Sequence, residues 1–352
     1  MMPYLSILFV LAFYSLLNAF QLNKKSERFL FIVSFLILFL FSAFRYDVGM
    51  DYLSYQEWFT DSSDGLNPKI SEIGFAFFFY ALNKLGISYA VAVFLLSFLT
   101  ITLAFCYIKK YSPYVAFSLL IFYCLGQFYF NTFNTMRQVV VIYAFYLLLD
   151  YVIKKCFLKY VFSILLLSIC FHLTALILLP LYFFLRNKYS AWIKLLTITV
   201  ISFSLLGIIK LIEISPYAVY LNFEQFSKEM SPTMYMLLLI SAILFFIDLF
   251  LKNESKSEVM LFNINSLLLS VLILSILVSG TPLIIVMGRI SYYFSPVILV
   301  LIPIVISKMK IKSNKCIFII CIGILFSALC VTSIWQNGKE NNLIPYMTIF
   351  SR

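Results

Sequence analysis

Charged residues and histidine are scarce in this sequence. Only 12% of its 352 residues are charged, and a single histidine is present. A soluble domain usually has about 25% charged residues and about 45–50% apolar ones. Here 63% of the residues are hydrophobic, and the mean hydropathy is +1.01. This composition excludes a soluble domain of useful size.

Cysteine occurs without a pattern that would carry chemistry. The seven cysteines all lie inside or beside apolar blocks of the sequence. No pair has metal-ligand spacing with a histidine nearby, and an odd number argues against a disulfide framework. We therefore predict that the cysteines pack in apolar surroundings.

Apolar residues occur in blocks of about 20, the length that a helix needs to cross about 30 Å of hydrocarbon. Phe and Tyr are common near the block ends, where aromatic rings favour the membrane interface. We predict an all-α polytopic integral membrane protein with about 12 transmembrane helices, within a range of roughly 10 to 12. No linker, low-complexity run or internal repeat divides the chain, so residues 1–352 are predicted to form a single transmembrane domain.

The formal charge of +11 is distributed as a topology signal. The basic residues lie in short loops between apolar blocks and form no stripe, which excludes nucleic acid as a partner. Lys24, Lys25 and Arg28 follow the first block, and this predicts a cytoplasmic loop there. Both termini are then predicted to lie outside, with outer loops at residues 45–70 and 213–232.

Two segments do not fit a simple series of spans. Lys109 and Lys110 are predicted to be cytoplasmic, so residues 71–85 cannot cross completely. We predict a re-entrant or interfacial helix there. Residues 158–185 form either one span or a tight hairpin with His172 at its outer tip. The hairpin is preferred because it returns the following basic residues to the cytoplasm.

Three of the six arginines lie at the predicted outer boundary of the hydrocarbon. They are Arg45, Arg137 and Arg289, and charges at this depth are functional candidates. We expect Asn134 and Thr135 to cap the helix that contains Arg137, and Arg289 to open a later helix. A guanidinium near a helix N-terminus suits phosphate oxygens, so a diphosphate site is predicted. The alternative is that each arginine snorkels to lipid phosphate or pairs with an acidic neighbour.

His172 is the only histidine. Its side chain has a pKa near the working pH, so at an outer tip it is a candidate general base. The alternative is an ordinary packing residue.

The predicted outer loop after residue 44 alternates carboxylates with aromatic rings. Asp47, Asp51, Tyr52 and Tyr55 are the residues concerned. Carboxylates accept hydrogen bonds from sugar hydroxyls and rings stack on sugar faces, so the pattern suits carbohydrate. An ordinary solvated loop and a divalent metal site are the alternatives.

These residues also carry a family resemblance. Residues 45–55, RYDVGMDYLSY, resemble the R-x-x-x-G-x-D-Y-x-x-Y signature of EpsG-family membrane proteins, although Met50 stands where Thr is common. Further matches follow in order: Glu72-Ile73-Gly74-Phe75, Asn134-Thr135-Met136-Arg137-Gln138, Phe171-His172-Leu173-Thr174-Ala175-Leu176, and Gly288-Arg289 with Tyr292-Tyr293. The family includes Wzy-type O-antigen and capsule polysaccharide polymerases, and the likeness extends over residues from about 40 to about 300.

The resemblance implies a GT-C-like glycosyltransferase of the bacterial inner membrane, acting at its periplasmic face. Its donor and acceptor would be undecaprenyl-diphosphate-linked glycans in the lipid bilayer, with a chain-length regulator and a flippase as further partners. No metal or other cofactor is expected, because arginine can carry the required charge. The expected catalytic residues are His172, Arg137 and Arg289, with Asp51 or Glu72 as rival bases. The expected substrate-binding residues are Arg45, Asp47, Asp51, Tyr52, Tyr55, Glu72, Gln138 and Tyr292.

Two other functions fit a polytopic membrane protein. A lipid-linked oligosaccharide flippase needs a charged path through the helix bundle, and Asp248 is the main other ionisable residue inside a predicted span. A membrane O-acyltransferase could use His172 but needs a route for an acyl donor from the cytoplasm.

Overall fold

The computed structural model describes residues 1–190 except 21, residues 192–194, 196–197 and 200, and residues 229–251 and 255–351. Regular structure in these residues is helical, which confirms the all-α class. The one β-bridge within them joins Arg45 and Thr348. The chain divides into two compact units, Met1–Leu179 with Pro303–Arg352, and Pro180–Ile302. The prediction of a single domain stays a prediction.

The helices of the first unit, in chain order, are α1 (Met2–Ala19), α2 (Lys24–Ala43), α3 (Tyr52–Thr60), α4 (Ile73–Lys84), α5 (Tyr89–Tyr111), α6 (Val115–Cys124), α7 (Asn131–Asn134), α8 (Met136–Ile153) and α9 (Phe157–Cys170), followed by a 3-10 helix (Leu173–Leu178). The second unit contains α10 (Leu181–Leu185), α11 (Pro232–Phe250), α12 (Lys256–Leu277) and α13 (Leu283–Phe294). Helix α14 (Ile298–Ser307) continues into the first unit, which ends with α15 (Lys312–Asn337).

Eight helices in the described part of the chain are long and apolar enough to cross a membrane, counting Leu283–Ser307 as one. Helices α6 and α9 are apolar but shorter, with 10 and 14 residues. Most of the residues from 191 to 228, including most of the predicted outer loop at 213–232, lie outside the described residues. The total number of spans therefore stays a prediction.

The first unit has two chemically different ends. Helices α2 and α5 run antiparallel, because Ser42 lies 3.0 Å from Ser97 and the rings of Phe31 and Phe105 lie 5.2 Å apart. The lysine end is the end at which α2 begins with Lys24 and Lys25 and α5 finishes with Lys109 and Lys110. The loop end is the opposite end, which contains residues 44–72.

Helix α4 lies along the loop end. Its 12 residues span about 18 Å, too short to cross about 30 Å of hydrocarbon. Glu72, just before α4, contacts Arg137 at the start of α8, and Asn83 near its other end donates to the Phe59 carbonyl of α3 at 2.8 Å. Both ends of α4 thus meet elements of the loop end. Of the two predicted arrangements, this geometry favours the interfacial helix.

The chain reverses between α9 and the 3-10 helix that follows. Phe171 and His172 form the bend, and the 3-10 helix packs back along α9. The Tyr160 hydroxyl near the start of α9 donates to the Leu178 carbonyl at 2.6 Å. The predicted hairpin with His172 at its tip is confirmed over this part of the segment.

Buried polar groups join the helices of the second unit. The Ser241 hydroxyl of α11 donates to Asn265 Oδ1 of α12 at 3.0 Å, and Asn265 Nδ2 donates back to the Ser241 carbonyl at 2.9 Å. Lys194 pairs with Asp248 of α11, and both side chains are buried. The pair neutralises Asp248, which was predicted as the main other ionisable residue inside a span.

Gly74 permits a close crossing of α4 and α9. A Cβ atom at this position would lie 2.5 Å from the Cα atom of Cys170, closer than real Cβ contacts occur. Backbone atoms cannot yield as a flexible side chain can. The absence of a side chain at Gly74 therefore brings Glu72 and His172 within contact distance.

We predict that Gly74→Ala lowers the free energy of unfolding by about 1–3 kcal/mol, because the added methyl group forces α4 away from α9. Thermal unfolding of the detergent-solubilised protein measures this. Gly288→Ala is the matched control, since no described atom lies within 4 Å of its added Cβ. Equal midpoints for the two variants would contradict the close-packing argument.

Candidate functional site

The Glu72 carboxylate is the centre of a largely buried polar cluster at the loop end. Its Oε2 atom pairs with the Arg137 guanidinium and accepts from the Ser71 hydroxyl at 2.9 Å. Its Oε1 atom lies 3.1 Å from His172 Nδ1 and accepts from the Leu173 backbone N–H at 3.0 Å. The Glu72 side chain is 2% exposed, whereas those of Arg137 and His172 are 14% and 15% exposed. The carboxylate is thus enclosed, whereas the side chains of Arg137 and His172 are partly accessible at the protein surface.

The surroundings of Glu72 keep its carboxyl group ionised. Burial raises the pKa, but the hydrogen bond with His172, the positive charge of Arg137 and the Leu173 N–H outweigh burial and lower the pKa of Glu72 to about 2. An ionised carboxylate can only accept hydrogen bonds. The Nδ1–H group of His172 must therefore donate a hydrogen bond to Glu72, and in neutral His172 the basic nitrogen is Nε2.

Arg137 lies in the first turn of α8, as predicted, and aromatic rings surround its guanidinium. Its central carbon lies 5.1 Å from the ring centre of Trp58, 5.5 Å from Phe75 and 5.8 Å from Tyr55. Its Nε atom donates to the Tyr55 hydroxyl at 3.4 Å. Cation–π contacts and the bond to Glu72 fix the orientation of the charged group.

The predicted capping of α8 is wrong. The Thr135 hydroxyl donates to the Asn131 carbonyl at 3.3 Å, and neither Thr135 nor Asn134 caps the helix through its side chain. Asn134 Oδ1 instead accepts from the Met50 backbone N–H at 2.7 Å. The short helix α7 ends immediately before α8. The Thr135 side chain therefore bonds the Asn131 carbonyl of α7, and the Asn134 side chain bonds the Met50 N–H of the neighbouring loop.

Arg45 is enclosed near the junction of α2 with the loop. Its side chain donates to the carbonyl and hydroxyl of Ser42, to the Ser97 hydroxyl at 3.2 Å and to Met136 Sδ at 3.2 Å. The guanidinium also lies 4.8 Å from the ring centre of Phe133. Burial lowers the pKa of Arg45 below its usual value. These contacts order the loop, and a direct substrate contact for Arg45 stays a prediction.

The other predicted residues of this unit differ in accessibility. Tyr52 and Tyr55 are buried on α3, and Gln138 is buried on α8. Asp47 and Asp51 are partly exposed at the loop end. The two carboxylates can therefore meet a ligand more readily than the two rings can. No three His, Cys, Asp or Glu side chains gather as a metal site within the described residues.

Arg289 and Tyr292 belong to the second compact unit. The prediction that Arg289 opens a helix is wrong, because α13 begins at Leu283, directly after Pro282. The fixed φ of a proline suits the start of a helix, and a glycine such as Gly288 is tolerated within one. Arg289 therefore lies well inside α13, away from its N-terminal N–H groups. The functional roles of Arg289 and Tyr292 stay predictions.

Trp58 was not predicted as a site residue, and the central position of Glu72 was not predicted. Trp58 follows Tyr55 by three residues, so helical spacing places both on one face of α3. That spacing is the signal that could have identified Trp58. Glu72 was predicted as a substrate ligand or rival base, and its position between Arg137 and His172 depends on a contact between distant segments.

We predict that Glu72 makes the stability of the protein depend on pH in the acid range. Because its folded pKa is lowered, its stabilising effect is complete above the ordinary pKa of 4.5 and is lost as the pH falls towards about 2. Thermal midpoints measured across this range should fall more steeply for the native protein than for Glu72→Gln. Glu57→Gln, an exposed change, should follow the native protein. Parallel curves for the native protein and Glu72→Gln would contradict the prediction.

Comparison with known proteins identifies the family. The model of the EpsG family matches residues 28–348, which include most of both parts of the first unit and all of the second. Neither the curated proteins nor the solved structures contain a significant match. The family is associated with Wzy-type polysaccharide polymerases. The residues of the Glu72 cluster all lie within the matched range, and the chain belongs to the EpsG family.

Proposed function

We propose that this protein polymerises undecaprenyl-diphosphate-linked oligosaccharide repeat units at the periplasmic face of the bacterial inner membrane. Membership of the EpsG family supports a polysaccharide polymerase. The contact of His172 Nδ1 with the ionised Glu72 carboxylate is the observation that carries the proposal. It supplies an oriented base in a membrane protein that has a single histidine.

The proposed reaction is a glycosyl transfer. A hydroxyl oxygen of the incoming lipid-linked unit attacks the anomeric carbon of the growing glycan, and its proton passes to His172 Nε2. The bond between the anomeric carbon and the donor diphosphate breaks, and its electron pair leaves with the diphosphate. The glycan is thereby transferred to the incoming unit, and undecaprenyl diphosphate is released.

Glu72 orients His172 and stabilises its charged form. The carboxylate accepts the Nδ1 proton, so Nε2 has the lone pair that receives a proton from the acceptor hydroxyl. A negative charge beside the ring also favours the imidazolium that forms during the reaction. Glu72 is poorly suited to be the base itself, because its pKa is about 2. Asp51, which is partly exposed, remains the rival base.

Arg137 compensates the negative charge of Glu72, so that protonation of His172 gives the cluster a net positive charge. Before proton transfer, Arg137 and Glu72 balance each other, and neutral His172 adds no charge. When His172 accepts a proton, the cluster gains one positive charge while negative charge develops on the leaving diphosphate. An oriented charge of this kind stabilises a transition state more than it stabilises the substrate.

We predict that His172→Ala and Arg137→Ala lower polymerisation by about a hundredfold or more, since each removes a group that acts in the transition state. The measurement is the glycan ladder on a gel from a deletion strain that expresses each variant at a matched level. Single repeat units should remain in both variants, and a full ladder should return with the native protein. Glu57→Gln is the control, because this exposed carboxylate at the loop end contacts Lys69 and not the cluster.

Other outcomes of the same glycan measurement would contradict parts of this proposal. A full ladder from His172→Ala would exclude this residue as the base. A deletion strain without any glycan would favour a flippase, and normal chains that lack acyl groups would favour an O-acyltransferase.

A further inference from the structure

The 338–351 segment crosses the loop that contains Asp47 and Asp51. The Tyr46 N–H donates to the Met347 carbonyl at 2.9 Å, and the Ile349 N–H donates to the Phe44 carbonyl at 3.0 Å. These two bonds flank the bridge between Arg45 and Thr348. Backbone pairing therefore holds the start of the loop against the 338–351 segment.

The 338–351 segment is itself anchored to the membrane-spanning helices. The ring of Tyr346 stacks on Phe41 of α2 with the centroids 4.0 Å apart, and its hydroxyl donates to the Phe41 carbonyl at 2.6 Å. The Tyr4 hydroxyl of α1 donates to the Leu343 carbonyl. Because these anchors belong to α1 and α2, the segment offers the loop a rigid support.

Asn342 joins this support to the middle of the loop. Its carbonyl accepts from the Gly49 N–H at 2.8 Å. Its side-chain Nδ2 donates to the Asp47 carbonyl at 3.1 Å and to Asp47 Oδ1 at 3.3 Å. Asp47 and Asn342 both have positive φ angles, 48° and 50°. Hydrogen bonding between them stabilises a backbone conformation that residues other than glycine rarely adopt.

The same loop also contacts the residues that lead to Arg137. The Met50 N–H donates to Asn134 Oδ1 at 2.7 Å. A Cβ atom on Gly49, where φ is 101°, would lie 2.8 Å from the same Asn134 oxygen. Thus the loop is held both by Asn342 and by Asn134, which lies three residues before Arg137.

We propose that the 338–351 segment positions the substrate-binding loop for glycosyl transfer, with Asn342 as the positioning residue. The inference rests on the proposed function, and it adds a part of the chain that family motifs near residues 45–55 do not include. Asn342 acts through Asp47 and Gly49. Loss of the Asn342 side-chain amide leaves the Tyr346 anchor in place but allows the loop to shift from the position in which Asn342 holds it.

The test uses substitutions that the positive φ of Asn342 permits. Asn342→Gly removes the amide without backbone strain, and Asn342→Asp keeps the shape but places a carboxylate oxygen against the Asp47 oxygens. Asn341→Gly is the matched control, because Asn341 is the exposed neighbour of the same type. Full-length variants are assayed with a lipid-linked repeat unit extracted from the deletion strain.

Asn342→Gly is expected to raise KM for the repeat unit by about tenfold with a smaller change in kcat, and to shorten the glycan ladder. Asn342→Asp should be more severe than Asn342→Gly, because like-charged oxygens then face each other. A residue that only fills space would give the opposite order, since aspartate matches asparagine in size. Asn341→Gly should give native KM and a full ladder, and thermal midpoints confirm that the variants are folded.

His172→Ala in the same assay distinguishes failure of this inference from failure of the proposed function. If His172→Ala abolishes the ladder while both Asn342 variants match Asn341→Gly, the positioning role is overturned and the polymerase proposal stands. If the native protein does not extend the extracted repeat unit, and if cells that lack the protein still make glycan chains of normal length, the polymerase proposal itself fails.

Discussion

The candidate site depends on one carboxylate that is shared by an arginine and a histidine. Glu72 is removed from water, so its charge would be costly without Arg137, the Leu173 N–H and the His172 ring around it. These partners come from two other parts of the chain, Arg137 from α8 and the adjacent His172 and Leu173 from the bend after α9. The need to satisfy one buried charge therefore brings α8 and the α9 hairpin to the start of α4.

The same requirement explains the structure around the cluster. Gly74 lets α4 approach the backbone of α9, and the Arg137 guanidinium is enclosed by Trp58, Tyr55 and Phe75. Aromatic faces stabilise a cation while they exclude water. A site built in this way is oriented before substrate binds, which is the condition for effective electrostatic stabilisation.

The loop end shows how a membrane protein can hold polar chemistry on an apolar scaffold. Within the hydrocarbon, helices satisfy their own backbone groups, and charged side chains are costly. Here the charged cluster lies where helices begin or end, and the short helix α4 lies along that end. Backbone groups of irregular segments find partners across the chain, as Gly49 does with Asn342 and Met50 does with Asn134.

Local patterns in the sequence were sufficient for some of these features. Apolar blocks predicted the all-α class because a spanning helix needs a fixed length of apolar residues, and the basic residues that follow residue 185 predicted the reversal at His172. Helix starts were less predictable. Leu283 begins α13 because Pro282 precedes it, and Asn134 serves the Met50 N–H instead of a helix end. A side chain with capping chemistry has several competing partners, and sequence alone does not select among them.

The sequence by itself determined the membrane class, the family signature and the residue types that are available at the loop end. Only the tertiary structure decided that Glu72 orients His172, that Arg137 is held among aromatic rings, and that Asn342 supports the loop. The physical reason is the separation along the chain over which each effect acts. Hydrophobic length and helical spacing act between near neighbours in the chain, whereas a buried charge is satisfied by groups separated by 65 to 101 residues. Such pairing is set by how the helices pack, and no local pattern records it.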